Sequence, residues 1–419
     1  MRVGDPEERT LDVLEVRILV QGLRKGMFVS RLDRPWIETP FPLEGLEIRS
    51  QGDIDRMTRF CTHVYVDMNR GLRPDPRYID PLREEDPAQP PSWLRQLRTT
   101  YYEDSVTLEQ EMPQARRVYE QFSSSLQELY GQLQGGGNLD LAVVEHSMRS
   151  MIDSVLRNPN ACGWLARFKD SDDTLYRHAL GSAVWSAALG RHLGLGRREL
   201  DDLVLGCILM DAGKSRLPPG LLAKPGRFDE REFRSVQAHV SHGLELIDVG
   251  AVSDVVIDIV RYHHERHDGR GYLKGLAGNM IPLYARIAAL IDCYDALINV
   301  RPHRPPLAPH EAISALYRSR GKRFQAELVE QFIQAIGIYP SGTLVELNTG
   351  EVAVVVSLNG ARRLKPRVML LLDPEKQPYG DFPTLDLLDD PLTEDGSVVS
   401  IRRGLPPGAF GIRAEELYL

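Results

Sequence analysis

The hydrophobic pattern of the chain changes period twice. Near the start, Val16, Ile18, Val20 and Leu23 alternate with polar residues, and Met27, Val29 and Leu32 follow after a Lys25-Gly26 turn. A period of two predicts strands. Residues 52–60 set Ile54, Met57 and Phe60 on one face of a short helix, and Val64-Tyr65-Val66 reads as a closing strand, so 11–72 is expected to be a small α+β module. From about residue 100 the period lengthens to that of a helix. Met112, Ala115, Val118, Phe122, Leu126, Leu129 and Leu133 recur at spacings of three and four, and Gly135-Gly136-Gly137 ends the run. A second helix is expected over 139–156. With the Pro-, Asp- and Glu-rich stretch 73–92 before them, these helices make 73–157 a linker and helical connector. It can act as a strut, or pair with a second copy into a homodimer.

From Asp172 to Gly337 the pattern is helical almost throughout, within a domain set at 158–340. Asp172 or Asp173 can cap its first helix. Later helices are expected at 198–211, at Asp229–Val249, over the apolar run Val255 to Val260, and from Ile281. Period two returns in Leu344–Leu347, Val352–Val356 and Val368–Leu372, with turns at Gly350 and Gly360. Residues 341–419 thus read as a small β-rich domain. The fold class is multidomain and mainly α: an all-helical bundle flanked by an N-terminal α+β module and a C-terminal β domain.

Composition narrows the class. The 419 residues are 42% hydrophobic and 26% charged, as in ordinary globular domains. The net charge of −8 speaks against wholesale nucleic-acid binding, and ten acidic against four basic residues in 373–419 put most of that excess in the tail. Cys61, Cys162, Cys207 and Cys293 have no paired spacing and read as reduced thiols. Met1 to Glu15 is charged and lacks an apolar h-region, and no run has the length needed to cross a bilayer. A cytoplasmic protein without membrane contact is expected.

The chemistry lies in the helices. His178 sits among Leu175, Ser182, Trp185 and Leu189; Asp211 ends an apolar helix at Asp211-Ala212-Gly213-Lys214; His239 lies beside Val236, Val240 and Gly243. His263 and His264 close the run Val255–Val260 ahead of a loop carrying Gly269, Gly271, Gly275 and Gly278, and Asp292 falls inside another apolar helix. A single buried-looking histidine is more often a satisfied core residue than a ligand. Five consecutive helices, each bringing His or Asp inward, are hard to explain as surface. Imidazole and carboxylate without thiolate suit iron, manganese, zinc or magnesium, and a bridging Asp can hold two metals as phosphoester hydrolysis requires.

These residues carry a resemblance. Residues 172–337 resemble the HD-GYP domain, a branch of the HD phosphohydrolases that cleaves cyclic di-GMP. The likeness runs through His178, Asp211-x-Gly213-Lys214, His239 with Gly243, and His263-His264-Glu265-x-x-Asp268-Gly269-x-Gly271-Tyr272. It continues through Ile281-Pro282-x-x-Ala285-Arg286-Ile287, Asp292-x-x-Asp295-Ala296-Leu297 and Arg301-Pro302-x-Arg304. Residues 11–72 look like the small module often found upstream of such domains.

The resemblance implies a metal-dependent cyclic di-GMP phosphodiesterase with one or two divalent metals per chain, iron or manganese. One metal would be held by His178, Asp211 and Asp292, the other by Asp211, His239, His263 and His264. Asp211 and Lys214 would act in catalysis, and Lys214, Arg301 and Arg304 would face the dinucleotide phosphates. Asp268, Gly271 and Tyr272 would shape a loop open to signalling partners. The sequence departs from the family where the first His of its His-Asp pair is Met210 and where the Pro of Gly-Tyr-Pro is Leu273. A thioether is a poor donor to such metals. The alternative to turnover is therefore a catalytically impaired sensor of cyclic di-GMP or an interaction module. A carboxylate that completes a third metal site in some members is Thr174 here, so two sites are expected at most.

Overall fold

The computed structural model describes residues 15–33, 39, 46–79, 97, 99–136, 139–167, 174–224, 226–247, 252–299, 305–359, 362–393, 396–406 and 408–412. The chain divides into two compact units, residues 1–92 and 93–419.

In the first unit, β1 (Glu15–Leu19), β2 (Met27–Leu32), β3 (Leu46–Glu47) and β4 (His63–Gly71) form an antiparallel sheet in the order β1-β4-β2-β3, with α1 (Gln51–Phe60) between β3 and β4. The first strand is shorter than its alternation suggests. The chain leaves it for a 3-10 turn at Val20–Gly22, where a Cβ on Gly22 would overlap the Tyr78 side chain. Ser50 and Asp53 exchange capping bonds at the start of α1. Ile18, Met27, Val29, Met57, Val64 and Val66 make the core.

The second unit opens with α2 (Leu108–Gln134), α3 (Ala142–Arg157) and α4 (Pro159–Arg167). Thr107 and Gln110 form the capping box of α2. The apolar stripe of α2, including Met112, Phe122, Leu126 and Leu129, is buried in the same core as the helices that follow. Tyr130 Oη donates to the Ile208 carbonyl at 2.7 Å. Buried Glu111 accepts two bonds from Arg157, at 2.8 and 2.7 Å, and one from Ser154, tying α2 to α3.

Next come α5 (Thr174–Leu193) and α6 (Arg197–Leu209), a 3-10 turn at Ala212–Arg216, then α7 (Glu230–Gln237), α8 (His239–Leu246), α9 (Asp254–Tyr262), α10 (Leu283–Ile298), α11 (Pro309–Arg318) and α12 (Ala326–Ile336). Every residue of α5 from His178 to Gly190 is buried, so this helix is enclosed all round rather than amphipathic. α6, α10 and α12 pack on it. The expected caps Asp172 and Asp173 lie outside the described residues. The single helix expected over 229–249 is broken at Ala238. There the His239 imidazole donates through Nδ1 to the Val236 carbonyl at 2.6 Å, taking an acceptor that a continuous helix would use.

The closing sheet, β5 (Leu344–Leu347), β6 (Val352–Asn359), β7 (Arg362–Leu372), β8 (Thr384–Asp386) and β9 (Ile401–Gly404), is antiparallel in the order β8-β7-β6-β5-β9. Alternation along β6 divides its side chains. Val352, Val354 and Val356 enter the helical core, while Ala353 and Val355 join Val345, Leu347 and Val368 in a separate cluster. All four cysteines are free thiols. No helix among the described residues is long and apolar enough to cross a membrane.

Candidate metal centre

Six of the singled-out side chains meet where α5, α6, α8, α9 and α10 converge. His178 comes from the middle of buried α5, and Asp211 from the turn that ends α6. His239 is the first residue of α8, His263 and His264 leave the end of α9, and Asp292 lies within α10. Two ligand groups result, Asp211 with His239, His263 and His264, and His178 with Asp211 and Asp292; each offers atoms within 4.8 Å of one another.

Asp211 is common to both groups. Its Oδ1 lies 3.4 Å from His239 Nε2 and 3.7 Å from His263 Nε2, and its Oδ2 lies 3.5 Å from His178 Nε2. His178 Nε2 is also 3.0 Å from Asp292 Oδ1. The three clustered histidines touch at Nε2, His239 standing 3.2 Å from His264 and 3.5 Å from His263. Backbone carbonyls set which nitrogen faces inward. His239 gives its Nδ1 proton to Val236, and His263 Nδ1 lies 3.1 Å from the Val260 carbonyl, which leaves both Nε2 lone pairs toward Asp211.

The turn that carries Asp211 must come very close to α8. A Cβ on Gly213 would overlap the His239 carbonyl and the Gly243 nitrogen. Only glycine lets the two backbones meet. Lys214, from the same turn, pairs with Asp211 and is mostly buried, with 14% of its side chain exposed.

The electrostatics around Asp211 favour a bound cation beside His239 and His264. Burial raises the Asp211 carboxyl, but Lys214 and the surrounding histidines outweigh it and hold the group well below the usual carboxylate range. Asp292 is also lowered, its bond to His178 overcoming burial. Burial pulls His239 down to about 4 and takes His264 well below its ordinary value, so both are neutral and able to ligate at pH 7. Burial works against a charged His178, yet its bonds to Asp292 and Asp295 push it up to about 9, so a metal at this group has to displace the Nε2 proton before His178 can ligate. Among the described residues Asp211 Oδ1 is buried with no hydrogen-bond partner, although the His239 and His263 imidazoles stand 3.4 and 3.7 Å from it. An orphaned carboxylate oxygen facing neutral imidazole nitrogens is the donor set of a divalent metal. The residues present therefore fit the implied cofactor.

The glycine-rich loop borders this centre. Tyr272 stacks on His264, with ring centroids 4.5 Å apart and planes at 30°, and Phe233 meets Tyr272 edge-on. Gly271 passes so close to the chain before it that a Cβ would lie 2.5 Å from Glu265 Cα. Asp268 is exposed and caps its own turn by accepting from Arg270 N at 3.0 Å. Arg301 and Arg304, expected at the phosphates, lie outside the described residues. Met210 is fully buried and belongs to the apolar core of the helical domain.

Two residues are given no role by the sequence reading. Buried Glu265 accepts from the Lys274 and Leu276 amides, at 2.8 and 3.0 Å, and fixes the loop. Asp295 accepts from His178 Nδ1 at 2.7 Å. Its signal was the three-residue spacing from Asp292, which puts both carboxylates on one helix face.

Comparison with known proteins agrees with this geometry. The HD domain family matches residues 157–328, a domain of unknown function (DUF3391) matches 15–144, and a KOW domain associated with HD domain matches 344–393. The chain is 33% identical over 355 residues to a cyclic di-GMP phosphodiesterase of Pseudomonas aeruginosa, covering 84% of each protein. It is 31% identical over 222 residues to a cyclic di-GMP phosphodiesterase response regulator of Xanthomonas campestris pv. campestris, covering 50% of this chain and 57% of that one. A solved HDG"Y"P protein from Bdellovibrio bacteriovorus aligns at 16% identity and a TM-score of 0.45, covering 76% of this chain and 98% of that one. With an HD-domain match over the ligand-bearing helices and a 33%-identical relative matched along 84% of both chains, this chain belongs to the HD-GYP family of the HD phosphohydrolases.

Proposed function

We propose that the chain is a metal-dependent phosphodiesterase that opens cyclic di-GMP. The observation that carries the reading is the division of Asp211, one oxygen toward the His239, His263 and His264 group and the other toward His178 and Asp292. The substrate is that of the two bacterial relatives, both cyclic di-GMP phosphodiesterases. Iron or manganese, the hard and borderline ions suited to imidazole and carboxylate, would be held by these two groups. Such ions supply Lewis acidity toward a phosphoryl oxygen and lower the pKa of bound water.

The chain's own residues do the rest. Asp211 and the neutral imidazoles orient the donors. The Lys214 ammonium, beside Asp211, supplies a charge that can bond a phosphate oxygen, and Arg301 and Arg304 would add to it. Glu265 holds the loop so that Tyr272 stays over His264 at the mouth of the site, where that loop can also meet a signalling partner. A second reading, a cyclic di-GMP sensor with impaired turnover, is favoured by Met210, which puts a buried thioether where the family has its first His.

The test is a cleavage assay on the purified chain with manganese or iron, with and without a chelator. Metal-dependent appearance of linear dinucleotide supports the enzyme. Tight binding of cyclic di-GMP with no product at any metal concentration supports the sensor.

A further inference from the structure

We infer that Asp295 is a positioning residue of the centre, acting through His178 and anchored by Trp185 and Asn299. The inference rests on the metal-centre reading above and assigns to one carboxylate, itself outside both ligand groups, control over one of them.

His178 bridges the metal centre and Asp295. Its two ring nitrogens face different carboxylates: Nε2 looks into the centre, 3.0 Å from Asp292 and 3.5 Å from Asp211, and Nδ1 lies 2.7 Å from Asp295 Oδ2. A carboxylate that accepts from Nδ1 fixes that proton on the outer nitrogen and keeps Nε2 for the metal. It also fixes the rotation of the ring. His178 has no backbone carbonyl in this part, unlike His239 and His263, whose Nδ1 atoms rest on Val236 and Val260.

Asp295 is in turn held on every side. Trp185 Nε1 donates to its Oδ1 at 3.1 Å, and Asn299 Nδ2 donates to its Oδ2 at 2.8 Å. Three donors therefore converge on two oxygens of a side chain that is 1% exposed. The helix opposite yields room for it: a Cβ on Gly181 would overlap Asp295 Oδ1. Gly181 is three residues beyond His178 on α5 and Asp295 is three beyond Asp292 on α10, so each helix presents one ligand and one half of this support. The group served is also the one that faces Met210's loss, with three protein ligands instead of four, so it depends most on the alignment of each.

The experiment compares manganese binding to the whole wild-type chain and to Asp295→Leu, by calorimetry and by manganese spin resonance, and records the melting temperature without metal. A carboxylate bonded to the outer nitrogen of a metal-bound histidine is worth about 10- to 100-fold in affinity. The expected result is a loss of that size at the His178 group, with the affinity of the His239 group within about twofold of wild type. Unchanged binding at both groups overturns the inference, as does an equal loss at both, which would mark Asp295 as a packing residue. If Asp295→Leu does not fold, Trp185→Phe, which keeps the carboxylate but removes one anchor, should weaken the His178 group alone by several-fold; no loss there overturns the inference. A wild-type chain that binds no manganese would instead refute the metal centre itself.

Discussion

Gly213 and His239 touch backbone to backbone: a Cβ on Gly213 would overlap the carbonyl oxygen of His239. This contact seats the Asp211 turn against the start of α8 and sets the distance from Asp211 Oδ1 to His239 Nε2 at 3.4 Å. Gly213→Ala is expected to push the two apart. Neither backbone can yield as a flexible side chain would, so the cost should reach about 2 kcal/mol or more. Thermal unfolding with and without manganese measures it. The variant should melt lower and gain less from metal than wild type.

One buried carboxylate holds two amides of the loop over the site. Glu265→Ala removes the acceptor for the Lys274 and Leu276 amides. Leaving such donors without their partner costs about 1–3 kcal/mol where they are buried. Hydrogen exchange at these two amides should accelerate at least tenfold, while α5 and α10 exchange as before.

Leu273 stands where Gly-Tyr-Pro would place its proline, and its φ is 96°. A branched side chain is strained there, and proline, fixed near −65°, cannot adopt it. Leu273→Gly should therefore stabilise the chain by about 1 kcal/mol, the low end of the usual strain cost. Leu273→Pro should lower the melting temperature and disturb the Tyr272–His264 stack, seen as loss of protection at Tyr272. The backbone here excludes the family's proline, while leucine is tolerated only with strain.

Metal content separates the two ligand groups. The His239 group has four protein ligands and the His178 group three. Dialysis against a weak chelator should leave about one metal per chain, a figure that follows from the missing ligand at Met210. Met210→His should raise the retained stoichiometry toward two and increase cyclic di-GMP cleavage about tenfold, or about 1.4 kcal/mol of barrier. Two metals surviving dialysis in wild type would contradict this.

Much of the architecture was legible because period is a strong signal. The change from two to three-and-a-half and back marked the helical core and the terminal sheets. The meeting of His178, Asp211, His239, His263, His264 and Asp292 was foreshadowed by polar residues at apolar positions. What was not legible depended on contacts between distant segments. The break at Ala238 comes from a side chain taking a backbone acceptor, and no periodicity reports that. The enclosure of α5 on all sides depends on α6, α10 and α12 arriving around it. Glu265 and Asp295 looked like ordinary charges of a motif. Their importance lies in what they accept, two loop amides in one case and the outer nitrogen of His178 in the other.

The most direct test of the account is metal binding by Asp211→Asn. Asp211 is the one residue common to both ligand groups, so replacing its carboxylate with a neutral amide should weaken both together. Calorimetry with manganese on the intact chain should show both affinities reduced by at least tenfold, with cyclic di-GMP cleavage lost in parallel. If one group keeps its wild-type affinity, or the variant still cleaves at the wild-type rate, Asp211 does not join two metals and the proposed centre is wrong.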